Sequence, residues 1–136
     1  MRYSPLIVEH FTNPVLAGVI DDAEIRAFVG NPVCGDQVLL TASVDGSGVI
    51  TDARFLAYGC AASLATASIL ATSLPGRRPE DLARTTDADV VQMVGGLAPD
   101  QRHCAELGTA VLHRVADNAA TGVKDEGPGV PCEPGA

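Results

Sequence analysis

Five residues of this chain carry chemistry the rest does not: Cys34, Cys60 and Cys104, with Asp36 just after the first and His103 just before the third. Thiolates, imidazoles and carboxylates are the donors of zinc and iron–sulfur sites. The cysteines stand far apart and form no Cys-x-x-Cys pair. Only a fold could bring them together.

Each of the five also has an ordinary explanation, weaker for Cys34 in its loop than for Cys60 and Cys104. A free cysteine often just fills a core, and Cys104 lies on an apolar stripe with Leu107, Val111 and Val115. Cys60 opens an Ala-rich segment, where a small buried residue is unremarkable. Asp36 follows Gly35 and reads first as a turn or capping carboxylate. A histidine such as His103 at a helix start is commonly a cap or a surface residue.

Position strengthens the metal reading. Cys34 sits in the loop Gly30-Asn31-Pro32-Val33-Cys34-Gly35-Asp36. Cys60 lies where a strand gives way to a helix, and Cys104 in the first turn of the last helix. Helix N-termini carry partial positive charge and favour a thiolate. Gly35 and Gly59 flank two of the cysteines and would allow close backbone approach. A His beside a Cys in one turn raises the odds of a ligand pair.

The elements that must position these residues can be read from pattern. Ser4-Pro5 is a helix start, with Leu6, Ile7 and Phe11 as its apolar face and Asn13-Pro14 as its stop. Ala23, Ile25, Ala27 and Val29 alternate with polar residues and read as a strand. Val38–Val44 and Val49–Tyr58 are further strands, joined by the hairpin turn Asp45-Gly46-Ser47-Gly48. Everything after them reads as helix. Cys60 to Leu74 is stopped by Pro75-Gly76, and Pro79–Ala83 is short. Thr86 caps a segment to Val94, and the last helix runs from near Asp100 to about Ala120, stopped by Gly122. Strands followed by helices predict an α+β domain: a small three-stranded antiparallel sheet with helices packed on one face. The domain is expected over 1–123, and 124–136, rich in Gly and Pro, as a disordered tail holding Cys132. Cys132 reads as a solvent-exposed bystander, His113 as a surface residue and His10 as structural.

Composition sets limits. The 136 residues suit one domain, and with aromatics at 4% its core must be built from Ala, Val, Leu and Ile. A net charge of -8 argues against binding nucleic acid or anionic membranes. The start MRYSPLIVEHF has no signal-peptide pattern, and the Cys60–Leu74 stretch is too short and polar to span a bilayer. A cytoplasmic protein is expected, in which cysteines bind metal or react more often than they pair.

Four sequence blocks then resemble one family. Val33-Cys34-Gly35-Asp36, Asp52-Ala53-Arg54-Phe55 leading to Tyr58-Gly59-Cys60, and His103-Cys104 are similar to the iron–sulfur cluster scaffold family of IscU proteins and the NifU N-terminal domain. So are Tyr3-Ser4, His10-Phe11, Asn13-Pro14 and Gly18 at the start. The resemblance runs from about Met1 to Ala120. It implies a SufE/NifU-like fold and a scaffold without turnover of its own. Such a scaffold assembles a [2Fe–2S] cluster from Fe2+ and desulfurase-derived sulfur and passes it to apo-proteins.

By that resemblance Cys34, Cys60 and Cys104 hold the cluster, Asp36 or His103 completes the coordination, and one cysteine receives sulfur as a persulfide, Cys104 ahead of Cys60 and Cys34. The implied partners are a cysteine desulfurase of the IscS, NifS or SufS type and apo iron–sulfur acceptors. The same donors also fit Zn2+, and a SufU-like zinc-dependent sulfur acceptor is the alternative. The SufU branch carries an insert between its second and third cysteines and lacks the His; this chain has no insert and keeps His103. The IscU branch docks an Hsp70/J-type chaperone on Leu-Pro-Pro-Val-Lys, of which Leu97-Ala98-Pro99-Asp100-Gln101 keeps only Leu97 and Pro99.

Overall fold

The computed structural model describes residues 3–30 and 35–126. Cys34 and Cys132 lie outside the described residues.

Helix α1 (Pro5–Thr12) begins as its sequence dictates: the Ser4 hydroxyl accepts from the Ile7 N–H at 3.1 Å and Pro5 takes the first helical position. The same hydroxyl donates to the Val94 carbonyl at 2.5 Å, tying the cap to a distant helix end.

Strands β1 (Ile25–Gly30), β2 (Gln37–Val44) and β3 (Ile50–Tyr58) form an antiparallel sheet in that order. The alternation that begins at Ala23 becomes strand only at Ile25, because the Ala23 N–H is held in a turn by Ile20. The β2–β3 turn is built by Asp45, whose Oδ1 accepts from the N–H groups of Ser47 and Val49.

Register aligns the core. Val29, Val38 and Ala57 form one cross-strand row, Ala27, Leu40 and Phe55 the next, and Ile25, Ala42 and Ala53 the third. These rows face the helices. On the other face Thr41 is fully buried, its hydroxyl accepting from the Ile20 N–H at 3.0 Å.

Helix α2 (Ala61–Ser73) is buried on most sides, as an Ala/Ser-rich helix can be when it packs between other elements. Helix α1 and the sheet flank it, and α4 (Arg102–Thr121) crosses beside it. Between them come a 3-10 helix at Pro79–Arg84, where a short helix is expected, and α3 (Asp87–Met93), opened by a Thr86/Asp89 capping box. Helices α2, α3 and α4 meet at Gly108, where a Cβ would lie 3.1 Å from both Leu70 Cδ1 and Val90 Cγ1.

Both sheet edges are covered. Residues 16–18 run parallel to β3, with the Phe55 N–H on the Leu16 carbonyl and the Gly18 N–H on the Phe55 carbonyl. On the β1 edge Asp125 donates its N–H to the Arg26 carbonyl at 3.1 Å, and its carboxylate takes the Phe28 N–H at 2.9 Å. Arg114 grips the same carboxylate through two 2.8 Å bonds, and Asn118 adds a third donor at 2.9 Å. The packed structure therefore continues past Val123 to at least Glu126, because Asp125 supplies the acceptors that this edge and the end of α4 need. Residues 127–136 of the expected tail lie outside the described residues. Among the described residues no helix is long and apolar enough to cross a membrane.

Candidate metal centre

The last rung of the β2–β3 ladder pairs Gln37 with Tyr58. Asp36 and Gly59 therefore meet just beyond it, and Cys60 follows as the N-cap of α2. From the other side, a 3-10 turn at Pro99–Gln101 leads into α4, whose first turn carries His103 and Cys104. Three separate elements thus deliver four donors to one point. The ligand atoms of Asp36, Cys60, His103 and Cys104 all lie within 4.8 Å of one another.

The two sulfurs are 4.0 Å apart. His103 Nε2 stands 3.9 Å from Cys60 Sγ, 3.6 Å from Cys104 Sγ and 3.0 Å from Asp36 Oδ2. Zn–S bonds of about 2.3 Å in a tetrahedron put sulfurs about 3.8 Å apart, so the donor set fits a thiophilic metal with little movement. The close His103–Asp36 contact makes these two residues hydrogen-bond partners in the metal-free site.

The two thiols are unlike. Cys60 is exposed and Cys104 only 1% exposed. Burial pushes the Cys104 thiol up to about 12, against the opposing hydrogen bond from Ser63 and with help from the neighbouring Cys60. Burial also raises Cys60, but hydrogen bonds from the Ser63 side chain and backbone and from His103 outweigh it, and its pKa falls below the ordinary value. At His103 burial lowers the pKa, while Cys60 and Asp36 raise it more, so the imidazole is a stronger base than usual. The exposed thiol and the imidazole thus shift toward their charged forms together, and the buried thiol keeps its proton at neutral pH. Cys104, the sulfur acceptor that the resemblance implies, is the less accessible of the two.

Ser63 belongs to this site and pattern reading does not find it. It is 1% exposed, its hydroxyl donates to Asp36 Oδ2, and it lies 3.3 Å from Cys60 Sγ and 3.4 Å from Cys104 Sγ. The available signal was its place three residues after Cys60, in the same helical turn. The other two histidines have local duties. His10 Nδ1 pairs with the buried Ser68 hydroxyl at 2.8 Å, and the exposed His113 donates to the Thr85 carbonyl at 2.7 Å.

Comparison with known proteins agrees with the geometry. The chain is 37% identical over 113 residues to the iron-sulfur cluster assembly scaffold protein IscU of Aquifex aeolicus, covering 82% of this chain and 72% of the relative. To IscU of Escherichia coli it is 31% identical over 121 residues, 86% of this chain and 94% of the relative. In fold it is similar to the SUF-system protein FiSufU of Fervidobacterium islandicum, with a TM-score of 0.61 at 22% identity over 82% of this chain and 94% of that one. The family model described as "NifU-like N terminal domain" matches residues 2–121. With four donors at one point that could hold a metal and this match over most of its length, the chain belongs to the NifU-like N-terminal domain family.

Proposed function

We propose that this protein is a scaffold: it builds an iron–sulfur cluster of the [2Fe–2S] type and hands it to apo-proteins. The observation that carries this reading is the convergence of Asp36, Cys60, His103 and Cys104 in a chain of this family. Cys34, two residues before Asp36, supplies the third thiolate. The cluster is cargo, made from Fe2+ and sulfur delivered by a cysteine desulfurase of the IscS, NifS or SufS type.

The chemistry follows from the donors. A scaffold thiolate attacks the outer sulfur of the desulfurase persulfide; the old S–S bond breaks and the desulfurase leaves as thiolate. Cys104 is the final acceptor in this scheme, with exposed Cys60 only 4.0 Å away. Each sulfane sulfur then takes two electrons from a low-potential electron carrier to become sulfide. Three thiolates with one oxygen or nitrogen donor hold a cluster less tightly than four thiolates would. A carrier that must release its cargo benefits from that weakness. Leu97 is half-buried and Gln101 only 4% exposed, with its amide oxygen accepting from the Ala98 N–H. That favours a structural use of this segment over recognition by Hsp70/J-type chaperones.

Anaerobic reconstitution with Fe2+ and sulfide tests the proposal. The expected product is a coloured protein with thiolate-to-iron absorption that activates an apo-ferredoxin. A second reading, a zinc-dependent sulfur acceptor, draws on the near-tetrahedral sulfur and nitrogen spacing. Zinc-loaded protein that stimulates a desulfurase, with no chromophore formed on reconstitution, would favour that reading and defeat the scaffold.

A further inference from the structure

Ser63 stands at the centre of the four donors and is not itself a strong ligand for iron or zinc. Its position is nevertheless defined on every side. It is the third residue of α2, 1% exposed, with Asp36 Oδ2 accepting its proton and both thiol sulfurs within 3.4 Å. A serine hydroxyl has one proton and two lone pairs. In the metal-free site Asp36 and the two sulfurs compete for that proton, and the contact with Asp36 is the shortest. A metal on Cys60 and Cys104 would take up the charge of their thiolates and leave the hydroxyl proton to Asp36.

Asp36 depends on that bond. Its carboxylate sits at the end of β2, where the ladder has just stopped, and a side chain there has few backbone constraints. Two donors hold Oδ2: Ser63 from the buried side and His103 Nε2, at 3.0 Å, from the exposed side. His103 has a side chain 52% exposed and is itself a candidate ligand, so it can leave. Ser63 is locked in a helix and cannot.

We infer that Ser63 is the positioning residue of the site: it holds Asp36 against the thiols, and through Asp36 it sets how firmly a metal is kept. The inference rests on the metal-binding reading above and extends it to a residue that contributes no ligand atom. Partners of this kind, which orient ligating carboxylates, are worth roughly 10- to 100-fold in metal affinity.

The test uses the full chain, freed of metal and titrated with Co2+ alone. Affinity is read by competition with a chelator, and ligand geometry by the cobalt ligand-field and thiolate-to-cobalt bands. Wild type, Ser63→Ala, Asp36→Ala and the double variant make a cycle. Ser63→Ala should lower Co2+ affinity about tenfold and shift the ligand-field bands in the direction that Asp36→Ala shifts them. In the Asp36→Ala background, Ser63→Ala should then change affinity less than about twofold. Unchanged affinity in Ser63→Ala overturns the inference. So does the same loss in both Asp36 backgrounds, which is what a general packing defect or a direct effect on the thiols would produce. Wild-type protein that fails to bind Co2+ would instead bring down the metal-site reading itself, and with it the role of Ser63.

Discussion

The carboxylate of Asp36 lies directly on the bare Cα of Gly59: a Cβ built there would stand 2.2 Å from Asp36 Oδ1 and 2.6 Å from its Cγ. Gly59 also has φ +148, a backbone region that L side chains rarely adopt. Gly59→Ala should therefore do two things at once. It should cost about 1–3 kcal/mol in urea denaturation, from backbone strain, and it should push Asp36 off the thiols and weaken Co2+ binding. If Gly59→Ala keeps both wild-type stability and wild-type affinity, the close packing of these two residues has no consequence.

Asp36→Ala separates affinity from release. An oxygen donor among thiolates is the bond that opens first, and an incoming acceptor thiolate can enter there. With the proposed ligand set, entry in the absence of Asp36 would have to displace a thiolate or His103. Transfer of a reconstituted cluster to apo-ferredoxin should slow by about tenfold or more, in the range of lost metal-site partners. Transfer at the wild-type rate would remove Asp36 from the release step.

The unequal thiols give a prediction for the metal-free protein. Iodoacetamide at pH 8, followed by peptide mass mapping, should modify Cys60 before Cys104. With its pKa pushed up to about 12, Cys104 has on the order of one part in ten thousand as thiolate at that pH, and it is 1% exposed as well. Zn2+ should protect both. Equal labelling of Cys60 and Cys104 would mean that the site is open in solution.

Asp125 predicts a pH dependence far from the metal centre. Hydrogen bonds from Arg114 hold its carboxyl well below the usual carboxylate range; burial works against them, and the Phe28 N–H and Asn118 assist. A carboxyl whose folded pKa is depressed stabilises the fold above its unfolded pKa of about 3.9. That contribution is lost as pH falls through the folded value. The stability gap between wild type and Asp125→Ala should thus be full at pH 7 and shrink below about pH 4. A gap of about 1–2 kcal/mol is expected from the bonds to Phe28 and Asn118; Arg114, with a side chain 43% exposed, adds little in stability. Urea melts at pH 7 and pH 3.5 check this, and a gap that grows on acidification would reverse the sign.

Much of this architecture was written locally. Ser4-Pro5, Thr86 with Asp89, and Asp45 before Gly46 each satisfy their own neighbouring backbone groups, so the helix starts and the hairpin could be read from short strings. The four described donors carry their chemistry in their residue types, and the family blocks around them span most of the chain. Edge cover was not readable. Leu16, Ala17 and Gly18 beside β3, and Asp125 beside β1, pair with residues remote in sequence and follow no period.

The sequence by itself determined which donors are available and at which element ends they sit, and only its family resemblance implied a common site. Tertiary structure alone decided how they differ. The β2–β3 ladder shifts register between Ser43 and Val44, leaving Thr51 as an extra residue on β3. Without that shift every later pair would slip by one and turn the other face, and Asp36 would not stand opposite Gly59. Packing of α4 against α2 likewise buried Cys104, left Cys60 in solvent and set Ser63 between them. Burial, register and the sharing of one hydroxyl proton are relations between distant segments, and no residue type or spacing encodes them locally.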